Sequence, residues 1–228
     1  MMLSHYNINS PIVFDEDHVN VLVIENPTQL SKIVEELILQ SEGKNGGFTL
    51  SDKNELLPIF GNIITLIDPF SLVPNEREIL NRLYSHMKND ALDEDCYLNV
   101  NEMISTIEKE LEHIMLRQPV QLERNDIDIM GLIKLANIHF EVSGPLIERI
   151  YDYVTICKEY RRIKIFIFVN FKSYLTVEEI IQLYSFAQYQ KIHILMIETH
   201  QSEILCQEKI RIIDIDLCEF GNEEEKPL

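Results

Sequence analysis

The sequence predicts an α/β protein built on a mostly parallel sheet. Two observations carry that reading. Apolar runs such as "VNVLVIE" (19–25) and "IKIFIFVN" (163–170) are too continuous for strands with one wet face, so they read as strands buried on both sides. Segments with apolar residues at helical spacing alternate with such runs, the pattern of crossover connections. A third observation adds a helical part. Two long amphipathic segments between residues 75 and 118 have no strand between them, which predicts an inserted α-helical hairpin.

The elements follow in order. After the strand at 19–25 comes "PTQLSKIVEELILQ" (27–40), where Leu30, Ile33, Val34, Leu37 and Ile38 share one helical face. Thr28 is the expected cap, with Pro27 before it. "SEGKNGG" (41–47) reads as a loop, and "NIITLID" (62–68) as a second buried strand stopped by Pro69. "NEREILNRLYSHMKND" (75–90) and "NVNEMISTIEKELEHIMLRQ" (99–118) are the hairpin helices, joined by "ALDEDCYL". Met103, Ile107, Leu111 and Ile114 form a stripe on the second, with Glu102, Glu108 and Glu112 off it. Residues 71–123 hold 11 acids against 5 Lys or Arg, so this insertion is expected to be solvated and acidic.

Alternation then resumes. "DIDIMGLIKLAN" (126–137) reads as a helix, "IHFEV" (138–142) as a short strand and "GPLIERIYDYVTICKEYRR" (144–162) as a helix with Pro145 in its first turn. The strand at 163–170 stops on Asn170, and Thr176 with Glu178 and Glu179 offers a helix start. A helix (176–190), a strand (192–199) and a last strand (210–216) complete six strands, before an acidic tail "NEEEKPL" that reads as disordered. The expected organisation is an α/β part from 1–70 and 124–228 with a helical insertion at 71–123.

Composition narrows the classes. With 228 residues, 46% of them hydrophobic, the chain can bury a large core. No apolar run approaches the roughly 18–20 residues of a membrane span. "MMLSHYNINSP" lacks the basic and apolar regions of a secretory signal. Cys96, Cys157, Cys206 and Cys218 lack CxxC spacing and read as reduced thiols, so a cytoplasmic location is expected. The formal net charge of −18 argues against a nucleic-acid partner, unless basic groups gather on one face or divalent cations neutralise the acids.

Enzyme signatures are thin. A phosphate-binding loop needs glycines between the first strand and first helix, so that backbone N–H groups can curl around the phosphates. That connection is "ENPTQLSK", without glycine, and Gly43, Gly46 and Gly47 have the wrong spacing for GxGxxG. Asn170 ends a buried strand where a nucleotide hydrolase would carry a metal-holding acid; the amide reads as a strand-end cap. No His pair or Cys/His set has zinc-ligand spacing, and "ETH" (198–200) is a weak catalytic signal at a strand end. Glu123, Asp126 and Asp128 in "LERNDIDIMG" admit two readings: a calcium site, or acids that suit a helix N-terminus. "LDEDC" (92–96) admits the same two.

Taken together, "VNVLVIENPTQLSKIV", "LERNDIDIMGLIKLANIHFE" and "IKIFIFVNFKSYLTVEEIIQLYSFAQYQKIHILMIE" resemble the small accessory protein of type II-A CRISPR–Cas systems. The resemblance spans nearly the whole chain and is weakest over 71–118. It implies a P-loop-ATPase-like α/β head without a working phosphate loop, bearing an α-helical leg. It further implies no catalytic activity, a calcium-stabilised homotetrameric ring, and sequence-independent binding of double-stranded DNA ends. The role implied is spacer acquisition alongside the integrase pair and the effector nuclease. By position, Glu123 and Asp126 keep a carboxylate of the family's calcium site, Asn125 and Gly131 stand where relatives carry acids, and Asp128 is an added acid. Lys134 and Lys32 match basic positions and are the leading DNA contacts; Arg124, Lys44 and Lys53 follow from loop position. The alternative reading is a nucleotide-binding or nucleotide-hydrolysing α/β protein with a degenerate phosphate loop.

Overall fold

The computed structural model describes residues 1–221. The tail 222–228 and the side chains of Glu94 and Asp95 in "LDEDC" lie outside the described residues. The chain divides into two compact units, Met1–Val73 with Ser143–Leu228, and Pro74–Val142.

The first unit is α/β with two sheets. Its strands are β1 (Met2–His5), β2 (Ile12–Val13), β3 (Val19–Ile24), β4 (Phe48–Asp52), β5 (Glu55–Leu57), β6 (Ile63–Leu66), β7 (Ile165–Val169), β8 (His193–Glu198), β9 (Glu208–Ile213) and β10 (Glu219–Gly221). The larger sheet has the order β10-β9-β3-β8-β7-β6. β9, β3, β8, β7 and β6 run parallel, while β10 is antiparallel to β9. The parallel part agrees with the apolar runs: every residue of "IFIFV" in β7 is buried.

The second sheet, β2-β1-β4-β5, is wholly antiparallel. It corrects the expectation of a single, mostly parallel sheet. Its strands are short and Phe48–Asp52 is half polar, so no apolar run announced them. β4 and β5 are joined by the two-residue turn Lys53–Asn54, both at positive φ, which suits a tight hairpin.

Helix α1 (Pro27–Ser41) buries Ile33 and Leu37 completely. Those two join one apolar cluster with Leu3, Phe48 and Leu50 of the small sheet and Leu22, Ile167 and Ile197 of the large one. Truncating Leu37 to alanine would cost about 2–5 kcal/mol by the usual cavity argument. On the opposite side chains of the large sheet, Phe166, Phe168 and Met196 are fully buried, with α5 (Leu146–Arg161) and α6 (Val177–Gln190) contributing Val154, Leu183 and Tyr184. The α6 start is as expected: Thr176 and Glu179 exchange side-chain to backbone hydrogen bonds in a capping box.

The second unit holds α2 (Arg77–Ala91), α3 (Glu94–Met115) and α4 (Ile129–Leu135). The connection between α2 and α3 is only Leu92–Asp93, because most of "ALDEDCYL" is already helical. α2 packs chiefly on α4 rather than along α3, so the predicted stripe on α3 is not covered within this unit. Met103 and Ile114 stay more than half exposed. The expected strand 138–142 does not form. Asn75 instead brackets Phe140, donating to its carbonyl and accepting its N–H, both at 2.8 Å, and the Tyr84 hydroxyl donates to the Ile138 carbonyl. Side chains satisfy these backbone groups, so no sheet partner is needed.

Candidate nucleic-acid interface and metal centre

The β3–α1 connection is where a phosphate cradle would lie. Asn26 caps α1, its Oδ1 accepting the N–H groups of Thr28 and Gln29 at 3.1 Å each. Pro27 opens the helix and has no N–H to offer. The donors that would face an anion are therefore taken by the protein itself. The cap is Asn26 rather than the expected Thr28.

Asn170 fills a structural role at the end of β7. It lies at φ 59, a left-handed conformation asparagine tolerates well. Its N–H donates to the Ile197 carbonyl, and its Oδ1 accepts the Thr199 N–H at 3.2 Å. A carboxylate is not required for either contact.

The candidate cations of the first unit lie on separate elements. Lys32 is exposed on α1, with its ammonium 4.9 Å from the centre of the Tyr6 ring. Lys44, after α1, pairs with Glu42 at 2.7 Å. Lys53 sits in the β4–β5 turn at φ 48. In the second unit Lys134 is exposed on the last turn of α4. No ion pair involves Lys32, Lys53 or Lys134 among the described residues.

Arg124 is differently placed. Its guanidinium donates to Glu108 at 2.9 Å and Glu112 at 3.1 Å, both on α3, and lies 3.9 Å from Asp126. The Ile127 N–H donates to Glu108 as well. The return segment 124–127 is thus stapled to the C-terminal half of α3. Glu112 first, then Glu108, raises the Arg124 pKa; the Ile127 N–H, with Arg124, holds Glu108 below the usual range.

The three candidate metal ligands do not converge. Glu123 and Asp126 are exposed, while Asp128 is the α4 N-cap, its Oδ1 accepting the Gly131 N–H at 2.6 Å. Among the described residues no three His, Cys, Asp or Glu side chains gather as a metal site. Calcium wants at least six oxygens, so these residues of one chain do not fit it alone. The nearest acids already share a cation, the Arg124 guanidinium.

A buried polar cluster under α6 escaped the sequence reading. Lys172 donates to Glu208, which also accepts from the Tyr184 hydroxyl at 2.7 Å and the Leu205 N–H at 3.2 Å. Glu198, 2% exposed at the end of β8, accepts the Lys172 N–H at 3.2 Å. Burial, with a smaller push from Glu208, raises its pKa to about 7. The one available signal was a glutamate closing the apolar run "IHILMIE". His200 of the "ETH" triplet is exposed and meets the Thr199 hydroxyl, apart from this cluster.

The profile of the CRISPR-associated protein (Cas_Csn2) family matches residues 40–217. The chain belongs to this family. A CRISPR-associated protein Csn2 of Streptococcus agalactiae is 22% identical over 205 residues, covering 84% of this chain and 88% of that protein.

The Cas_Csn2 match includes Arg124 with its α3 partners, Asn170 and the Lys172–Glu208 cluster. Lys32 and Tyr6 precede the matched residues. No described helix is long and apolar enough to cross a membrane.

Proposed function

We propose that this Cas_Csn2 protein binds double-stranded DNA ends without sequence preference during CRISPR spacer acquisition, and that it does so without catalysis. In this reading the first unit is a P-loop-ATPase-like head that has lost its phosphate loop, and the second is a helical leg. The observation that carries the DNA-binding reading is the state of Lys32 and Lys134. In a chain with 38 acids and 20 Lys or Arg, both keep exposed ammonium groups outside any ion pair among the described residues. Such groups contact phosphates, which position a duplex without reading its bases. The Asn26 cap supports a scaffold role, because it consumes the donors a nucleotide would need.

The proposal includes a homotetrameric ring. Copies that enclose their lysines let an anionic molecule hold a phosphate backbone, since charges beyond roughly 8–10 Å are screened. The uncovered apolar stripe on α3 supports self-association. Calcium enters only as an ion shared between copies, with Glu123 and Asp126 as the exposed carboxylates of this chain. The integrase pair and the effector nuclease are the proposed partners.

The test is a gel shift of linear duplexes of several sequences, with and without calcium, beside molar mass by light scattering. The expected result is duplex binding, with a mass of four copies in calcium. Lys134→Glu weakens binding to every duplex alike. A single-copy mass in millimolar calcium together with no duplex binding overturns the proposal.

A further inference from the structure

Tyr6 is exposed at the end of β1, and its place is built rather than incidental. Its hydroxyl donates to Glu36 at 2.8 Å. The other Glu36 oxygen accepts from the Gly47 N–H at 2.7 Å and from His5 Nε2 at 3.0 Å. The Asn7 N–H donates to His5 Nδ1, so the ring proton is on Nε2 and points at Glu36. The bare Gly47 lets the ring lie close: a Cβ there would stand 2.2 Å from Tyr6 Cε1. His5 is buried between Tyr6 and Phe48, with ring centres 4.2 and 4.3 Å away. The chain of contacts ends at Lys32, whose ammonium lies over the Tyr6 ring, inside the roughly 6 Å range of a cation–π contact.

A lysine on an exposed helix face ordinarily samples many rotamers, and a contact with phosphate must freeze them. Here the aromatic face removes part of that freedom beforehand. Tyr6, and more weakly the Glu36 carboxylate behind it, raise the Lys32 pKa, yet among the described residues no carboxylate pairs with the ammonium directly, so it stays open to a second anion. We infer that Tyr6 is a positioning residue for Lys32, presenting its ammonium to the phosphate backbone of a duplex. This rests on the DNA-binding reading above.

The test uses the full chain and a labelled linear duplex, with affinity measured across a salt series. Each phosphate contact contributes roughly 0.9 to the slope of log affinity on log salt for B-form DNA. Lys32→Ala lowers that slope by about one contact. Tyr6→Leu lowers it by the same amount, and adds no further fall in a Lys32→Ala background. Thermal unfolding of each variant controls for the fold; a merely structural role moves the melting temperature and not the slope. A wild-type slope in Tyr6→Leu, beside a reduced slope in Lys32→Ala, overturns the inference and leaves the DNA-binding reading standing. Absence of duplex binding by the wild type at low salt overturns both.

Discussion

The Lys172 ammonium lies 2.5 Å from a Glu208 carboxylate oxygen, with the lysine side chain 6% exposed and the glutamate side chain fully buried. The Tyr184 hydroxyl donates to the same oxygen, so an ammonium and a phenol compensate one buried carboxylate. Removing one partner of such a pair costs more than the pair contributes, because the other charge stays behind without compensation. Lys172→Met is expected to destabilise the protein by about 3–5 kcal/mol, read as a lower urea midpoint at neutral pH. A midpoint equal to that of the wild type would show that Glu208 is adequately served by Tyr184 and Leu205.

Glu198 adds a pH dependence of its own. Its pKa is raised to about 7, by burial first and then by Glu208. The ionised form is the one the folded state disfavours, so the stabilising contribution is complete below the unfolded-state pKa of about 4.3. It is lost as pH rises through about 7. At about 1.4 kcal/mol per pKa unit, up to about 4 kcal/mol of stability disappears across that window. Glu198→Gln should flatten the curve of urea midpoint against pH between about 5 and 8, the range in which the group titrates. An unchanged slope in that variant would assign the dependence elsewhere.

How much of this was legible follows from where the free energy lies. The parallel strands announced themselves because both faces are buried, which leaves unbroken apolar runs such as "IFIFV". The antiparallel sheet did not, since β2 is two residues long and Phe48–Asp52 is half polar. The segment 138–142 has strand propensity, yet Asn75 and Tyr84 satisfy its backbone. Arg124 read as a loop cation; only the fold brings Glu108 and Glu112 to it across 16 and 12 residues of sequence. Lys172 and Glu208 are 36 residues apart, and no local pattern predicts that they meet.

The amide at the end of β7 makes a testable statement about nucleotide chemistry. Asn170→Asp restores the acid that a hydrolase would carry, and aspartate also tolerates φ near 59. The variant is nevertheless expected to show no magnesium-dependent ATP binding by calorimetry. The reason lies at the other end of the would-be site, where Asn26 occupies the N–H groups of Thr28 and Gln29. Asn26→Ala, by loss of the cap, should cost about 1 kcal/mol. Tight ATP binding by either variant would revive the nucleotide-binding alternative.

Gly47 offers a sharper structural test, because its need for glycine comes from close approach alone. A Cβ there would stand 2.2 Å from Tyr6 Cε1 and 2.6 Å from Glu36 Oε2. Glu36 cannot retreat without releasing His5 and the Gly47 N–H, so the ring has to move. Gly47→Ala is expected to destabilise by about 1–3 kcal/mol, the usual range for an overpacked contact. Tyr6→Leu removes the ring that sits nearest the new methyl. The alanine should therefore cost less in a Tyr6→Leu background than in the wild type, a non-additivity that urea titration of the four proteins measures directly. Strict additivity would mean that the methyl is resisted by Glu36 and not by the ring.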